Sequence, residues 1–249
     1  MKLTWRFVFS FVFFTGQVRA QEFKVAVAAN AQFVMEKIGQ AFREESGQEA
    51  QLIVSSSGKL TAQIQNGAPF DVFLSADVHY PAALHRAGLT QAAPRVYAYG
   101  TLVLWTAANL DLSKGVAVLT RAECRKIALA NPKLAPYGGA AVDALTHAGL
   151  YERVRTKLVY GESIAQVNQY VLSGSASAGF TAKSVVMDPA LKGKGTWIEV
   201  DRKAYQPIAQ GAVLLKGARS PAARKFYDFL FSARARAIFQ QYGYLVSEP

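Results

Sequence analysis

From Phe23 onward the chain alternates between short β-branched runs and segments whose apolar residues recur at helical spacing. That alternation constrains the fold more than any other feature. Phe23 to Ala28 reads as a strand, and Phe33, Val34, Ile38 and Phe42 after it share one helix face. Asn30 stands where an N-cap would, with a short side chain able to accept from the free N–H groups of the first turn, and Gly47 closes the helix. The pattern repeats. Gln51 to Val54 is a strand, Ser55-Ser56-Ser57-Gly58 a turn, and Lys59 to Gln65 a short helix broken by Asn66-Gly67-Ala68-Pro69. Asp71 to Leu74 is a third strand and Val78 to Ala87 a third helix. A β-α-β-α-β-α order predicts a parallel sheet covered on both faces.

The rhythm restarts near Thr101. Strands are expected at Leu102 to Thr106, Lys126 to Ala130, Leu158 to Tyr160, Ala178 to Thr181, Trp197 to Val200 and Ile208 to Leu215. Pro136-Tyr137-Gly138 opens a helix running to Gly149, and Ser163 caps another to Leu172. Two helices end the chain, the first begun by Ser220-Pro221 with Pro at its first position. Phe226, Phe229 and Leu230 share a face, continued by Ile238 and Phe239 and ended by Gly243. These helices return to the first unit, whose core needs covering. The chain then crosses twice, near Gly100 and near Pro207. The expected architecture is α/β in two lobes, each a mostly parallel sheet flanked by helices, with the two crossings at the hinge. Residues 21–99 with 208–249 form lobe 1, and 100–207 form lobe 2. A one-lobe protein is the alternative.

Residues 1–20 stand apart. Lys2 and Arg6 precede an apolar run from Phe7 to Phe14 interrupted only by Ser10, and Val18-Arg19-Ala20 has small or compact residues at the two positions a signal peptidase reads. This is the pattern of a secretory signal peptide cleaved after Ala20, and the run is too short to span a bilayer. The chain is therefore expected in the periplasm. Its formal net charge of +11 is spread over scattered residues, so it reads as a basic surface with mild attraction for anions and not as a nucleic-acid footprint. The single cysteine, Cys124, can form no internal disulfide and reads as a small buried apolar residue.

The chemistry of catalysis is not evident. His79 and His85 lie six apart on one expected helix and His147 on another, with no carboxylate or Cys at ligand spacing, so no protein-held metal is expected. The serines at 55–57 lack the G-x-S-x-G elbow and a nearby His, which weighs against a serine hydrolase. Gly58-Lys59 fails as a P-loop, because Ile53 and Leu60 stand where Gly and Ser/Thr are needed. No catalytic residue and no cofactor are predicted.

Four helix starts stand out instead: Asn30, Ser57, the Tyr137 turn and Ser163-Ile164. Each follows a strand. Helix N-termini present unpaired N–H donors and a partial positive charge, and ligands of α/β sheets sit beyond the carboxyl ends of the strands. Two facing lobes would aim these starts at one cleft. Such a site of neutral dipoles suits a fully ionised tetrahedral oxyanion. An organic acid would call for a bidentate Arg, and none lies in these turns. Sulfate is one ion that fits this logic.

Three blocks carry a family resemblance: Val25-Ala26-Val27-Ala28-Ala29-Asn30; Ser55 to Leu60 with Gln63-Ile64 and Gly67 to Asp77; and Ala130 to Gly138. Phe226 to Leu230 and Tyr242-Gly243-Tyr244 add to them. In this order and spacing the chain resembles the periplasmic molybdate-binding proteins of ABC transporters over nearly all of its exported length. The resemblance implies a two-lobe, type II periplasmic binding protein fold that closes on molybdate or tungstate without a cofactor and delivers it, as a monomer, to a membrane permease. By position it implies that Asn30 and Ser57 donate from lobe 1, with a backbone N–H from Ala31. It implies Tyr137 through its hydroxyl and Ile164 through its backbone N–H from lobe 2. Ala182 stands where one branch of the family has a ligand Tyr, and Gly139 where a basic residue is common. Asp77, a carboxylate beside a dianion, reads as a helix cap or a surface contact.

Overall fold

A computed structural model of the chain describes residues 23–246. The leader expected over residues 1–20, with its cleavage site, lies outside them. The first unit runs β1 (Phe23–Ala28), α1 (Gln32–Ser46), β2 (Ala50–Ser55), α2 (Ser57–Gln65), β3 (Val72–Leu74), α3 (His79–Arg86) and β4 (Arg95–Gly100). The second runs β5 (Leu102–Thr106), β6 (Ile127–Ala130), α4 (Pro136–His147), α5 (Tyr151–Val154), β7 (Leu158–Gly161), α6 (Ile164–Leu172), β8 (Ala178–Ala182), α7 (Lys183–Val186) and β9 (Thr196–Glu199). The chain then returns through β10 (Ile208–Leu214), α8 (Pro221–Phe229) and α9 (Ala233–Gln241).

Two five-stranded sheets result, ordered β2-β1-β3-β10-β4 and β7-β6-β8-β5-β9. Both are mixed. In each, four strands run one way and one runs against them: β10 is antiparallel to β3 and β4, and β5 is antiparallel to β8 and β9. The expectation of mostly parallel sheets therefore holds for four strands in each and fails for the fifth. The reversed strands are the two that carry the chain across. β4 was not among the expected strands.

The local expectations are corrected in two places. Asn30 is not an N-cap. It lies inside a single 3-10 turn, Ala29–Ala31, and α1 begins after Ala31 with no side-chain cap. The Lys59–Gln65 helix starts earlier, at Ser57, because the Ser56 hydroxyl accepts from the Lys59 N–H at 3.4 Å and caps the first turn. Gly47, at φ 67°, closes α1 in the left-handed region as expected.

Packing follows the apolar faces. α8 and α9 lie on the first sheet and bury Phe226, Leu230 and Phe239. Phe42 of α1 meets Phe226 edge-on at 5.3 Å and Phe23 at 6.0 Å, and each such side chain removed from water contributes about 1.5–3 kcal/mol. The second sheet has its own core, with Leu104, Leu129, Leu145 and Phe180. Cys124 is buried there as a free thiol, and burial raises its pKa. Where the chain crosses, the Leu102 N–H donates to Tyr205 Oη at 3.1 Å, so the two crossing segments are tied together.

One contact sets the position of α4. A Cβ on Gly138 would lie 2.1 Å from the Ala130 carbonyl oxygen, so the helix start sits directly on the end of β6. Gly138→Ala is expected to cost about 1–3 kcal/mol by forcing the two backbones apart. Urea unfolding of the variant beside the wild type measures this, and an unchanged midpoint would contradict the packing described.

Candidate functional site

The carboxyl ends of β1, β2 and β3 in the first sheet and of β6 and β7 in the second lead into the residues that meet between the lobes. The cleft is bridged at its mouth. Gly58 N–H donates to the Leu134 carbonyl at 2.9 Å, Tyr80 Oη donates to the Lys133 carbonyl at 3.0 Å, and Lys59 pairs with Glu162. A Cβ on Gly58 would come within 3.1 Å of the Leu134 Cα, so glycine is what allows this approach.

Behind the mouth lies a small cavity. Asn30, Ser56 and Ser57 line it from the first lobe and Tyr137 and Ile164 from the second, with Ala28, Ala29, Ala76, Ala135 and Pro136 between them. Four of the residues singled out from the sequence thus meet at one point. Ala31 is not among the residues that line it, and its methyl is packed in the first lobe's core. The space open to the centre of a water-sized sphere is about 10 Å³. Treated as a ball, with a water radius of ~1.4 Å, that is a cavity about 2.7 Å in radius. That is about the room one water needs, so in this closed form the cavity has no space for a sugar or nucleotide. Larger grooves of about 490 and 440 Å³ exist elsewhere. They are outer-surface features, and in the first of them Arg234 is already paired with Glu44 and Glu45.

No ionisable carboxylate, amine, guanidinium or imidazole lines the small cavity. Its polarity is that of helix starts. Ser57 is the first residue of α2 and Ile164 the first of α6, and Tyr137 is the second of α4 behind Pro136. The leading N–H groups of a helix have no partner within it and carry its partial positive charge. Ser57 adds a hydroxyl. Ala76 N–H donates to Ser57 Oγ at 3.0 Å, which occupies a lone pair and leaves the hydroxyl proton free to donate.

Beneath the cavity lies a buried polar floor. Asn30 Nδ2 donates to Gln210 Oε1 at 2.9 Å and to Tyr244 Oη at 3.2 Å, so both amide protons are committed. The Asn30 carbonyl accepts from Ser184 Oγ of the second lobe at 2.7 Å. Tyr97 Oη donates to Gln210 Oε1 at 2.7 Å, and Gln210 Nε2 donates to Tyr137 Oη at 3.3 Å. The Tyr137 hydroxyl is therefore part of the floor. Burial holds the Tyr97 and Tyr137 phenols well above their ordinary pKa, and pushes Tyr244 to about 12. The floor stays neutral.

Sequence reasoning missed Gln210, Tyr97 and Tyr244. One signal was available: a lone amide in the apolar run Ile208–Leu214, followed by Gly211. Asp77 takes the capping role expected of it. Its Oδ1 accepts from the Tyr80 N–H at 3.1 Å, and burial raises its pKa. His79 and His85 lie on α3 and His147 ends α4, and His85 Nδ1 is 2.8 Å from Thr90 Oγ1. Among the described residues no group of three or more His, Cys, Asp or Glu could hold a metal ion. No described helix is long and apolar enough to cross a membrane.

Residues 23–245 match the family model for bacterial extracellular solute-binding proteins. The molybdate-binding protein ModA of Azotobacter vinelandii is 43% identical over 229 residues, covering 91% of this chain and 90% of its own. That of Rhodobacter capsulatus is 40% identical over 228 residues, covering 91% and 89%. Among solved structures, an Azotobacter vinelandii periplasmic molybdate-binding protein superposes with a TM-score of 0.86 at 34% identity, covering 91% of this chain and all of that one.

The buried phenols give the fold an alkaline limit. Their folded pKa values lie above the ordinary 10.0, so the stability they allow is complete below pH ~10 and is lost as pH rises toward the folded values. Tyr244 alone accounts for about 2–3 kcal/mol between pH ~10 and ~12, at ~1.36 kcal/mol per pH unit. Urea midpoints from pH 8 to 11 should fall above pH ~10, and Tyr244→Phe should flatten that fall. A wild-type profile level through pH 11 would contradict the neutral floor.

Proposed function

The chain belongs to the family of bacterial extracellular solute-binding proteins, and we propose that the solute it captures is molybdate or tungstate, held between the two lobes and handed to the membrane permease of an ABC transporter. The family binds and transports; it is not one of enzymes. The observation that carries the reading is the lining of the closed cavity, without a charged side chain and at the meeting of three helix starts, in a chain 43% identical to a molybdate-binding relative. The anion is cargo here and not a cofactor.

In this reading Ser57 donates through its hydroxyl, and Asn30, Tyr137 and Ile164 donate through backbone N–H groups. The Asn30 amide and the Tyr137 phenol hold the floor in place. Ala31 drops out of the ligand set. A site made only of donors favours an anion that has lost every proton, because a remaining proton would need an acceptor. Residues 21–99 with 208–249 and residues 100–207 act as two bodies that hinge at the crossings, the usual closure of such proteins. The exported chain, freed of its leader after Ala20, works as a monomer in the periplasm and takes one anion.

Isothermal titration of residues 21–249 with molybdate, tungstate and sulfate tests the assignment. Tight one-to-one binding of the first two and none of sulfate is expected. Sulfate binding in place of molybdate would reassign the solute. Ser57→Ala removes one donor and should weaken molybdate binding by about 1–3 kcal/mol, roughly 5- to 150-fold at ~1.4 kcal/mol per decade. An unchanged affinity would remove Ser57 from the site.

A further inference from the structure

We propose that Gln210 is a positioning residue that holds the two halves of the site in register, through one buried carboxamide bonded to Asn30 of the first lobe and Tyr137 of the second. The proposal rests on the reading of the cavity as the anion site.

Gln210 is fully buried on β10, the strand by which the chain returns from the second lobe. A carboxamide has two donors and two acceptor lone pairs, and this one is used across the lobes. Oε1 accepts from Asn30 Nδ2 at 2.9 Å and from Tyr97 Oη at 2.7 Å, while Nε2 donates to Tyr137 Oη at 3.3 Å. The backbone of β4 is shaped to meet it. The pairing of β4 with β10 skips Tyr97, between the Gln210–Ala98 and Gly211–Val96 pairs, and this bulge aims Tyr97, whose hydroxyl donates to Gln210 Oε1. On the other edge of β10, Gly211 donates from its N–H to the Asp77 carbonyl at 3.1 Å and accepts from the Ser75 N–H at 2.9 Å, which fixes the strand beside Gln210.

Gly100, at the first crossing, completes the arrangement. A Cβ there would lie 2.0 Å from Tyr137 Oη and 2.6 Å from Gln210 Nε2. The bond between the lobes therefore passes under the hinge, where a bare backbone leaves room for it. Asn30 lies in the turn that presents one set of donors, and Tyr137 is the second residue of the helix that presents the other. Fixing both to one amide sets their separation without placing any further group in the cavity.

The test is a double-mutant cycle on molybdate affinity in the chain from residue 21 onward, using Gln210→Met, Tyr137→Phe and the pair, with small-angle scattering of each protein in the absence of any anion. Each single change should weaken binding about tenfold, the scale of one buried hydrogen bond. The pair should cost little more than either single change, because both remove the same link. Gln210→Met should also enlarge the radius of gyration relative to the wild type. A purely local packing role would give losses that multiply to about a hundredfold and no change in scattering. Either that result or wild-type affinity in Gln210→Met overturns the proposal. Should Gln210→Met fail to fold, Tyr137→Phe, which removes the acceptor of the Gln210 Nε2 bond, decides alone: a roughly tenfold loss with a larger radius supports the proposal, and wild-type affinity or an unchanged radius overturns it. If the wild type itself takes up no molybdate, the solute assignment fails, and the scattering comparison then decides the proposal: a larger radius supports it and an unchanged one overturns it.

Discussion

The hydrogen bond from the Ala76 N–H into Ser57 Oγ occupies the hydroxyl's lone pair and leaves its proton without a partner. An anion bound without a cation depends on donors in that condition, since each must give up water and regain as much from the ligand. Around the cavity the protein's own acceptors are kept busy elsewhere. The Asn30 carbonyl is taken by Ser184, and the Gln210 amide oxygen by Asn30 and Tyr97. The cavity is then lined by helix starts and by the hydroxyls of Ser56, which caps α2, and Ser57. The sheets, the crossings and the glycine at position 138 place three helix starts around one point.

Neutrality is itself a selective device. A lysine or arginine in the cavity would attract singly and doubly charged anions, protonated or not, at close range. Helix dipoles exert a weaker and more directional pull that falls off within a turn. Discrimination then comes from geometry and from the lack of any acceptor for a protonated competitor. The basic character of the chain as a whole acts only at longer range and is screened by salt.

Much of this was legible in the sequence. The alternation of hydrophobic periods gave the strands and helices, and the small residues after the strands marked the helix starts. Asn30, Ser57, Tyr137 and Ile164 do converge. Two kinds of information were not legible. β4 escaped because Arg95–Gly100 is an edge strand that follows Pro94 and leaves Val96 exposed, so no continuous apolar run announces it. The role of Asn30 was misjudged because a cap is the common use of Asn before a helix. Its amide instead bonds Gln210 and Tyr244, residues 180 and 214 positions away, and no local pattern encodes a partner at that distance. Tyr97, which bonds Gln210, likewise sits at a bulge of β4, a slip in register that periodicity does not reveal.

The order β2-β1-β3-β10-β4 bears on how the chain acquires its structure in time. β10 lies between β3 and β4, so β4 has no neighbour to pair with until residues 208–214 are present. The second sheet, by contrast, is complete within one continuous stretch from β5 to β9. A chain delivered from its N-terminus can close the later lobe while the earlier one is still unsealed, and every pairing of β10 with β3 spans well over a hundred residues. Loop closure over such a separation is slow relative to local helix formation. The last strand and the two helices behind it therefore act as the keystone of the first lobe, which stays unsealed until the final fifth of the chain has arrived.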